Sequence, residues 1–166
     1  MQTVLGLDLS KRRGAIVGYS DGLYFDHTKF AIDVLEDAYL GTVEFLNKHS
    51  GLFTGSEQLA YIESPVVVRG GALVTIQQSF VSGVVQLCLQ RHGWSVDLVN
   101  VQSWKKHVVG SGNSNKQQVS EWFALNHERE SRLFGGDQDL TDAACVGLYG
   151  LLVSGEARAV DESSSL

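Results

Sequence analysis

The order in which apolar runs change their period along this chain leaves few folds open to it. Residues 3–8 form an apolar, β-compatible run, followed by the basic turn Lys11-Arg12-Arg13-Gly14 and a second such run over 15–19. Asp21-Gly22 is a hairpin turn signal, and 23–30 reads as a third strand. From 33 to 49 the apolar residues Val34, Leu35, Ala38, Val43, Phe45 and Leu46 recur at helical spacing. A short strand over 58–62 ends at Glu63, and Pro65 prevents its simple extension. Residues 72–92 predict a long helix, apolar on most sides and therefore buried on two faces. A fifth strand over 95–101 and a short helix over 103–109 lead into the loop Gly110-Ser111-Gly112-Asn113. An amphipathic helix follows over 115–127, with Ser114 and Gln117 as its capping box. A polar loop over 128–138 and a last helix over 139–154 complete the pattern. Three strands followed by alternating helices and strands mean an α/β layer fold around one sheet. No repeat or linker divides it, so 1–154 is expected as a single domain and 155–166 as a flexible polar tail.

Composition supports one packed core. The chain has 166 residues, 43% of them hydrophobic, and a single proline, which argues against long disorder. No apolar run approaches the roughly 20 residues of a membrane helix, and the start lacks the basic and apolar regions of a secretory signal. Cys88 and Cys145 lie in apolar helical contexts and are too few for a disulfide framework, so a reducing cytoplasm is the expected compartment. The net charge of −6 is uneven. Residues 1–64 carry 5 basic and 9 acidic groups, 65–132 carry 7 and 4, and 133–166 carry 1 and 6. The basic middle third neither requires nor excludes a polyanionic partner.

The carboxylates are the chemistry-bearing feature. Asp8 ends the first strand and Glu63 the fourth, at the edge where ligand sites collect in open α/β sheets. Asp139 and Asp142 open the last helix three residues apart and can share one face. Singly, each also serves as a turn former or a helix cap. Gathered in one place, four carboxylates would be forced partly neutral unless a cation sat among them. An oxygen-only donor set suits Mg²⁺ or Mn²⁺, and two such ions about 4 Å apart support in-line phosphodiester cleavage. Lys116 sits in the first turn of a helix behind a Gly-x-Gly loop, where backbone N–H groups already favour an anion.

Leu5-Gly6-Leu7-Asp8, Ile62-Glu63 and Asp139-Leu140-Thr141-Asp142-Ala143-Ala144 resemble the acidic set of RuvC-like Holliday junction resolvases, of the ribonuclease-H-like fold. The segment from Trp104 to Gly112, Trp-Lys-Lys-His-Val-Val-Gly-Ser-Gly, continued by Asn115-Lys116-Gln117-Gln118-Val119, is similar to that family's lysine, Val-Val-Gly-x-Gly, lysine, Gln-Val segment in every spacing. The resemblance spans residues 3–154 and implies a central mixed five-stranded sheet flanked by helices. It also implies a crossover junction endodeoxyribonuclease that cuts four-way or related branched DNA with two Mg²⁺ ions per site, Mn²⁺ substituting. Asp8, Glu63, Asp139 and Asp142 would hold the metal, and Lys116 and Lys105 would meet the scissile phosphate region. Lys11, Arg12 and Arg13, on the turn after Asp8, are candidates for backbone phosphates, with an ordinary charged hairpin as the equal alternative. Arg69, in the loop over 66–71, is a candidate for the junction centre.

Two departures mark a divergent, phage-type member. No aromatic follows the strand-four acid, where Ser64-Pro65-Val66-Val67-Val68 stands instead, and Asp8-Leu9 replaces the frequent Asp-Pro. The family's two-fold symmetry implies a homodimer, in which the helix over 72–92 buries one face on the sheet and another on a partner, small Ser79, Ser82 and Gly83 permitting close approach; the alternative is a central helix in a monomer. Trp94, Trp104, Trp122 and both cysteines are expected in the core, and His27, His49, His92, His107 and His127 as non-ligands. The competing readings are a nuclease of the same fold for flaps or RNA–DNA hybrids and a non-catalytic branched-DNA-binding module.

Overall fold

Residues 2–9 are buried on both sides, which a strand achieves only in the middle of a covered sheet. The computed structural model describes residues 1–66 and 71–164, with side chains through residue 155. Its five strands are β1 (Gln2–Leu9), β2 (Arg13–Ser20), β3 (Leu23–Ala31), β4 (Glu57–Glu63) and β5 (Ser95–Val99). They lie in the order β3-β2-β1-β4-β5, with β1 and β2 antiparallel, β2 and β3 antiparallel, and β1, β4 and β5 parallel. The sheet is mixed and five-stranded, as the sequence implied. Asp21 (φ 47°) and Gly22 (φ 81°) form the β2–β3 turn in the left-handed region that such tight hairpins require.

The helices are α1 (Leu35–Lys48), α2 (Ser50–Phe53), α3 (Ala72–Arg91), α4 (Val101–Trp104), α5 (Lys116–Asn126), α6 (Glu128–Phe134) and α7 (Gln138–Ser164). A π-helical turn, Lys105–Val109, continues α4. Leu5, Leu7, Leu9, Ile16, Ala60 and Ile62 leave one face of the sheet and pack with Ala38, Phe45 and Leu46 of α1 and Val81, Val85 and Leu89 of α3. Val4, Ala15, Val17, Tyr19 and Tyr61 leave the other and pack with Ala143, Ala144 and Val146 of α7, Trp104, and Val119 and Phe123 of α5. Strand period two thus sorts each strand between two helical layers. At Gly6 the fit is closest: a Cβ there would lie 2.1 Å from the Ala143 carbonyl oxygen and 2.2 Å from the Gly147 nitrogen. Glycine is what lets α7 descend onto β1.

Several expectations change. The stretch 128–138 is not all loop, because Phe134 is buried and stacks on Phe123 at 5.6 Å between centroids, anchoring α6 within a polar sequence. The capping box of α5 is Asn115 with Gln118, one residue later than expected: each side chain meets the other's backbone N–H at 2.9 Å. The last helix continues past residue 154 to Ser164. Of the two faces of α3 expected to be buried, this chain covers one, and Leu73, Ile76, Phe80 and Leu87 are exposed on the other. By length and mean hydropathy α3 alone among the described residues could cross a membrane, contrary to the expectation from its sequence. Here Val81, Val85, Cys88 and Leu89 are buried in the layer it shares with α1. Trp94, Trp104 and both cysteines are buried, and Trp122 is partly buried against the core.

Candidate active site

Strand parity puts the first two acids on one side of the sheet. Leu5, Leu7 and Leu9 point into the α1–α3 layer, so Asp8 shares the opposite face with Val4 and Gly6. In β4, Ala60 and Ile62 point to the α1–α3 layer, which leaves Glu63 with Tyr61 on the α7 side. Leu7 pairs with Ile62 in parallel register, so Asp8 and Glu63 leave neighbouring strands side by side at their carboxyl ends. Helix α7 supplies the other two. Asp137, not Asp139, caps it, its Oδ1 accepting from the Leu140 N–H at 3.1 Å. Asp139 and Asp142 are thereby free of capping duty, and Asp142 immediately precedes the residue whose backbone touches Gly6.

The same acids influence one another's charge. The Asp8 carboxyl is pushed up to about 8, chiefly by burial, with Glu63, Asp142 and Asp139 adding and Lys116 opposing them. Glu63 is raised chiefly by burial, with Asp142 adding and the Trp104 hydrogen bond, Lys105 and Lys116 pulling down. Asp142 is raised chiefly by burial, with Asp139 adding and Gln138, Lys105 and Lys116 pulling down. All four acids and both lysines therefore share one electrostatic neighbourhood. Lys116 enters it as the first residue of α5, behind the loop that starts at Gly110 (φ +96°). The Lys105 Nζ donates to the Ser114 carbonyl at 2.9 Å and lies 5.5 Å from the Trp104 ring centroid, tying the π-helical turn to the head of α5.

Three residues that the sequence does not assign to the site support it. The Trp104 indole N–H donates to Glu63 Oε2 at 2.7 Å. A buried tryptophan needs such an acceptor, which was the available signal. Gln138 donates to Asp142 Oδ1 at 2.7 Å and accepts from the Ser120 hydroxyl at 2.8 Å, linking α5 to the site. Lys29 lies 2.9 Å from Asp139 Oδ2, where Arg13 also approaches at 3.6 Å. Lys11 and Arg12 instead line a groove with Asp33, Leu35, Ile76 and Phe80. Arg69 lies outside the described residues.

The donor set fits a hard divalent cation: oxygen ligands only, largely buried, with more negative charge than the two lysines offset. Among the described residues no group of three His, Cys, Asp or Glu side chains closes into a ready chelate, and Asp139 is held by cations of the chain itself. Trp104→Phe is expected to lower stability by about 2–3 kcal/mol, the scale of a lost hydrogen bond to a charged group, measurable by urea unfolding. An unchanged midpoint would show that the indole N–H does not support Glu63.

The architecture matches solved structures. Thermus thermophilus RuvC superposes with a TM-score of 0.72, covering 94% of this chain and 97% of that one at 14% identity. The fold is that of RuvC. T. thermophilus RuvC in complex with a Holliday junction substrate gives a TM-score of 0.68 over 90% of this chain and 92% of that one, again at 14% identity. The yeast mitochondrial Holliday junction resolvase gives 0.54 over 88% and 76%, at 12% identity. No protein-family model matches the sequence, and no curated protein matches it.

Proposed function

We propose that this chain is a structure-specific endodeoxyribonuclease that resolves four-way DNA junctions by divalent-metal-dependent phosphodiester hydrolysis. The observation that carries the reading is the convergence of Asp8, Glu63, Asp139 and Asp142 with Lys105 and Lys116 at the carboxyl edge of a RuvC-like sheet. That solved neighbours are Holliday junction resolvases, one of them bound to its junction, favours branched DNA over hybrids or flaps.

The four acids would hold two magnesium ions, which when bound supply a water nucleophile and neutralise charge on the leaving oxygen, manganese substituting. Lys116, pre-set at a helix N-terminus, offsets charge developing on the scissile phosphate. Lys105 steadies the head of α5 and adds positive potential for the DNA backbone. Trp104 and Gln138 hold Glu63 and Asp142 in place, so that neither must reorganise during the reaction. Lys11 and Arg12, exposed on the turn after β1, are suited to phosphates further along the DNA arms.

A homodimer completes the proposal. Leu73, Ile76, Phe80 and Leu87 stand exposed at alternating three- and four-residue spacing on α3, with Gly83 continuing the row. Such a stripe on a helix otherwise packed against its own chain suits a second copy. Light scattering should give twice the 18.1 kDa chain mass for the wild type and a folded monomer for Phe80→Glu. A wild-type monomer at micromolar concentration would contradict it.

The test of function is cleavage of a mobile four-way junction beside a flap and an RNA–DNA hybrid, with Mg²⁺ and with EDTA. Metal-dependent paired nicks in the junction are expected. Faster cutting of the flap or the hybrid would overturn the junction assignment.

A further inference from the structure

The sheet register places a cation at the rim of the acidic cluster that the proposed reaction does not use. Asp8 pairs across the sheet with Ala15, and Ala15 with Lys29, so the three side chains form one row on the α7 face. The middle member is a fully buried alanine, which lets the lysine extend past it toward the start of α7. There its Nζ lies 2.6 Å from Asp137 Oδ2 and 2.9 Å from Asp139 Oδ2. Asp137 is fixed in turn, because its other oxygen caps α7.

One of the four acids is therefore occupied by an internal cation before any metal arrives. The arrangement is asymmetric: Asp142 accepts from neutral Gln138 and Glu63 from the neutral indole of Trp104, and only Asp139 is salt-bridged. Lys29 and Asp139 are each largely shielded, at 26% and 28% side-chain exposure, whereas Arg13, the second cation near Asp139, is 62% exposed and 3.6 Å away. Burial works against the charge of Lys29, yet its hydrogen bonds to Asp137 and Asp139 hold its pKa above the usual lysine value.

We propose that Lys29 is a positioning residue that competes with a divalent cation for the Asp139 carboxylate, and that Asp137 is the resting place to which its ammonium withdraws when the cation binds. The inference rests on the metal-nuclease reading and deepens it. The chain's own ammonium keeps the cluster tolerably neutral without metal, and its displacement sets the affinity of the site for the last ion to enter. Asp137 then governs the exchange, since it is the alternative partner 2.6 Å from the same nitrogen.

Calorimetric titration of the full chain with Mn²⁺, without DNA, tests this in variants expected to move in opposite directions. Lys29→Met removes the competitor and should tighten Mn²⁺ binding about two- to fivefold, the range of an ion pair of this exposure. Asp137→Asn keeps an oxygen for the cap but withdraws the resting place, so it should weaken binding several-fold. Lys29→Arg should stay near the wild type. A purely structural role would lower the melting temperature of the first two variants without splitting their affinities. Unchanged or weaker binding in Lys29→Met, or a shift of both variants in one direction, would overturn the proposal while leaving the metal site standing. If Lys29→Met does not fold, tighter or unchanged binding in Asp137→Asn overturns it alone. If the wild type shows no Mn²⁺ binding that Asp8→Asn removes, the metal-nuclease reading falls as well.

Discussion

Asp8→Asn is expected to lower junction cleavage by about 10³-fold or more, beyond the 10²–10³ supplied by a single hydrogen-bond donor in other enzymes. Asp8 is the acid to which all three others couple, and it lies at the carboxyl end of the central strand. Asparagine keeps its size and one oxygen but not its charge. Binding of a four-way junction in a mobility-shift assay without metal should stay within about threefold of wild type, because phosphate contacts by lysine and arginine dominate such affinity. Glu63→Gln should behave alike. Cleavage at the wild-type rate by either variant would remove the site from the account.

The same substitution should stabilise the metal-free protein. A carboxyl whose pKa is 3.8 when unfolded and about 8 when folded binds its proton more tightly in the native state. Its stabilising effect is fully present below pH 3.8 and is lost as the pH rises toward 8. At one pKa unit per about 1.4 kcal/mol, the loss has an upper bound of about 6 kcal/mol. Without metal, the wild type should therefore weaken between pH 5 and pH 8, and Asp8→Asn should flatten that slope and melt higher at pH 8. Added Mg²⁺ should stabilise the wild type at pH 8 and leave the variant nearly unmoved. Parallel melting-temperature profiles for the two proteins would mean that Asp8 is neither strained by its neighbours nor relieved by metal.

What was legible in the sequence follows from the range of the interactions. Asp8 and Glu63 stand out because an acid ending an apolar strand is a local event, and Asp21-Gly22 because a tight turn needs left-handed backbone. The place of Lys29 was hidden, since it depends on β1, β2 and β3 pairing in a register that puts Asp8, Ala15 and Lys29 in one row. Trp104 looked like ordinary core, and its ring is buried, but its one polar atom is spent on Glu63. Helix α6 went unseen for a related reason: its stability comes from Phe134 stacking on Phe123, a contact between elements that no period within 128–138 announces. The apolar excess of α3 is legible from its period, but which of its faces this chain covers is not, because hydropathy records that a side chain avoids water and not what covers it.

The acids at 8, 63, 139 and 142 are proposed to hold divalent cations jointly. Crystals soaked in Mn²⁺ and measured for anomalous scattering test it directly. The account predicts peaks about 2.0–2.3 Å from carboxylate oxygens, one of them on Asp8 shared with Glu63 or an α7 acid, and Lys29 drawn away from Asp139. Ordered acids with no peak beside Asp8, at a concentration that supports cleavage, would contradict it.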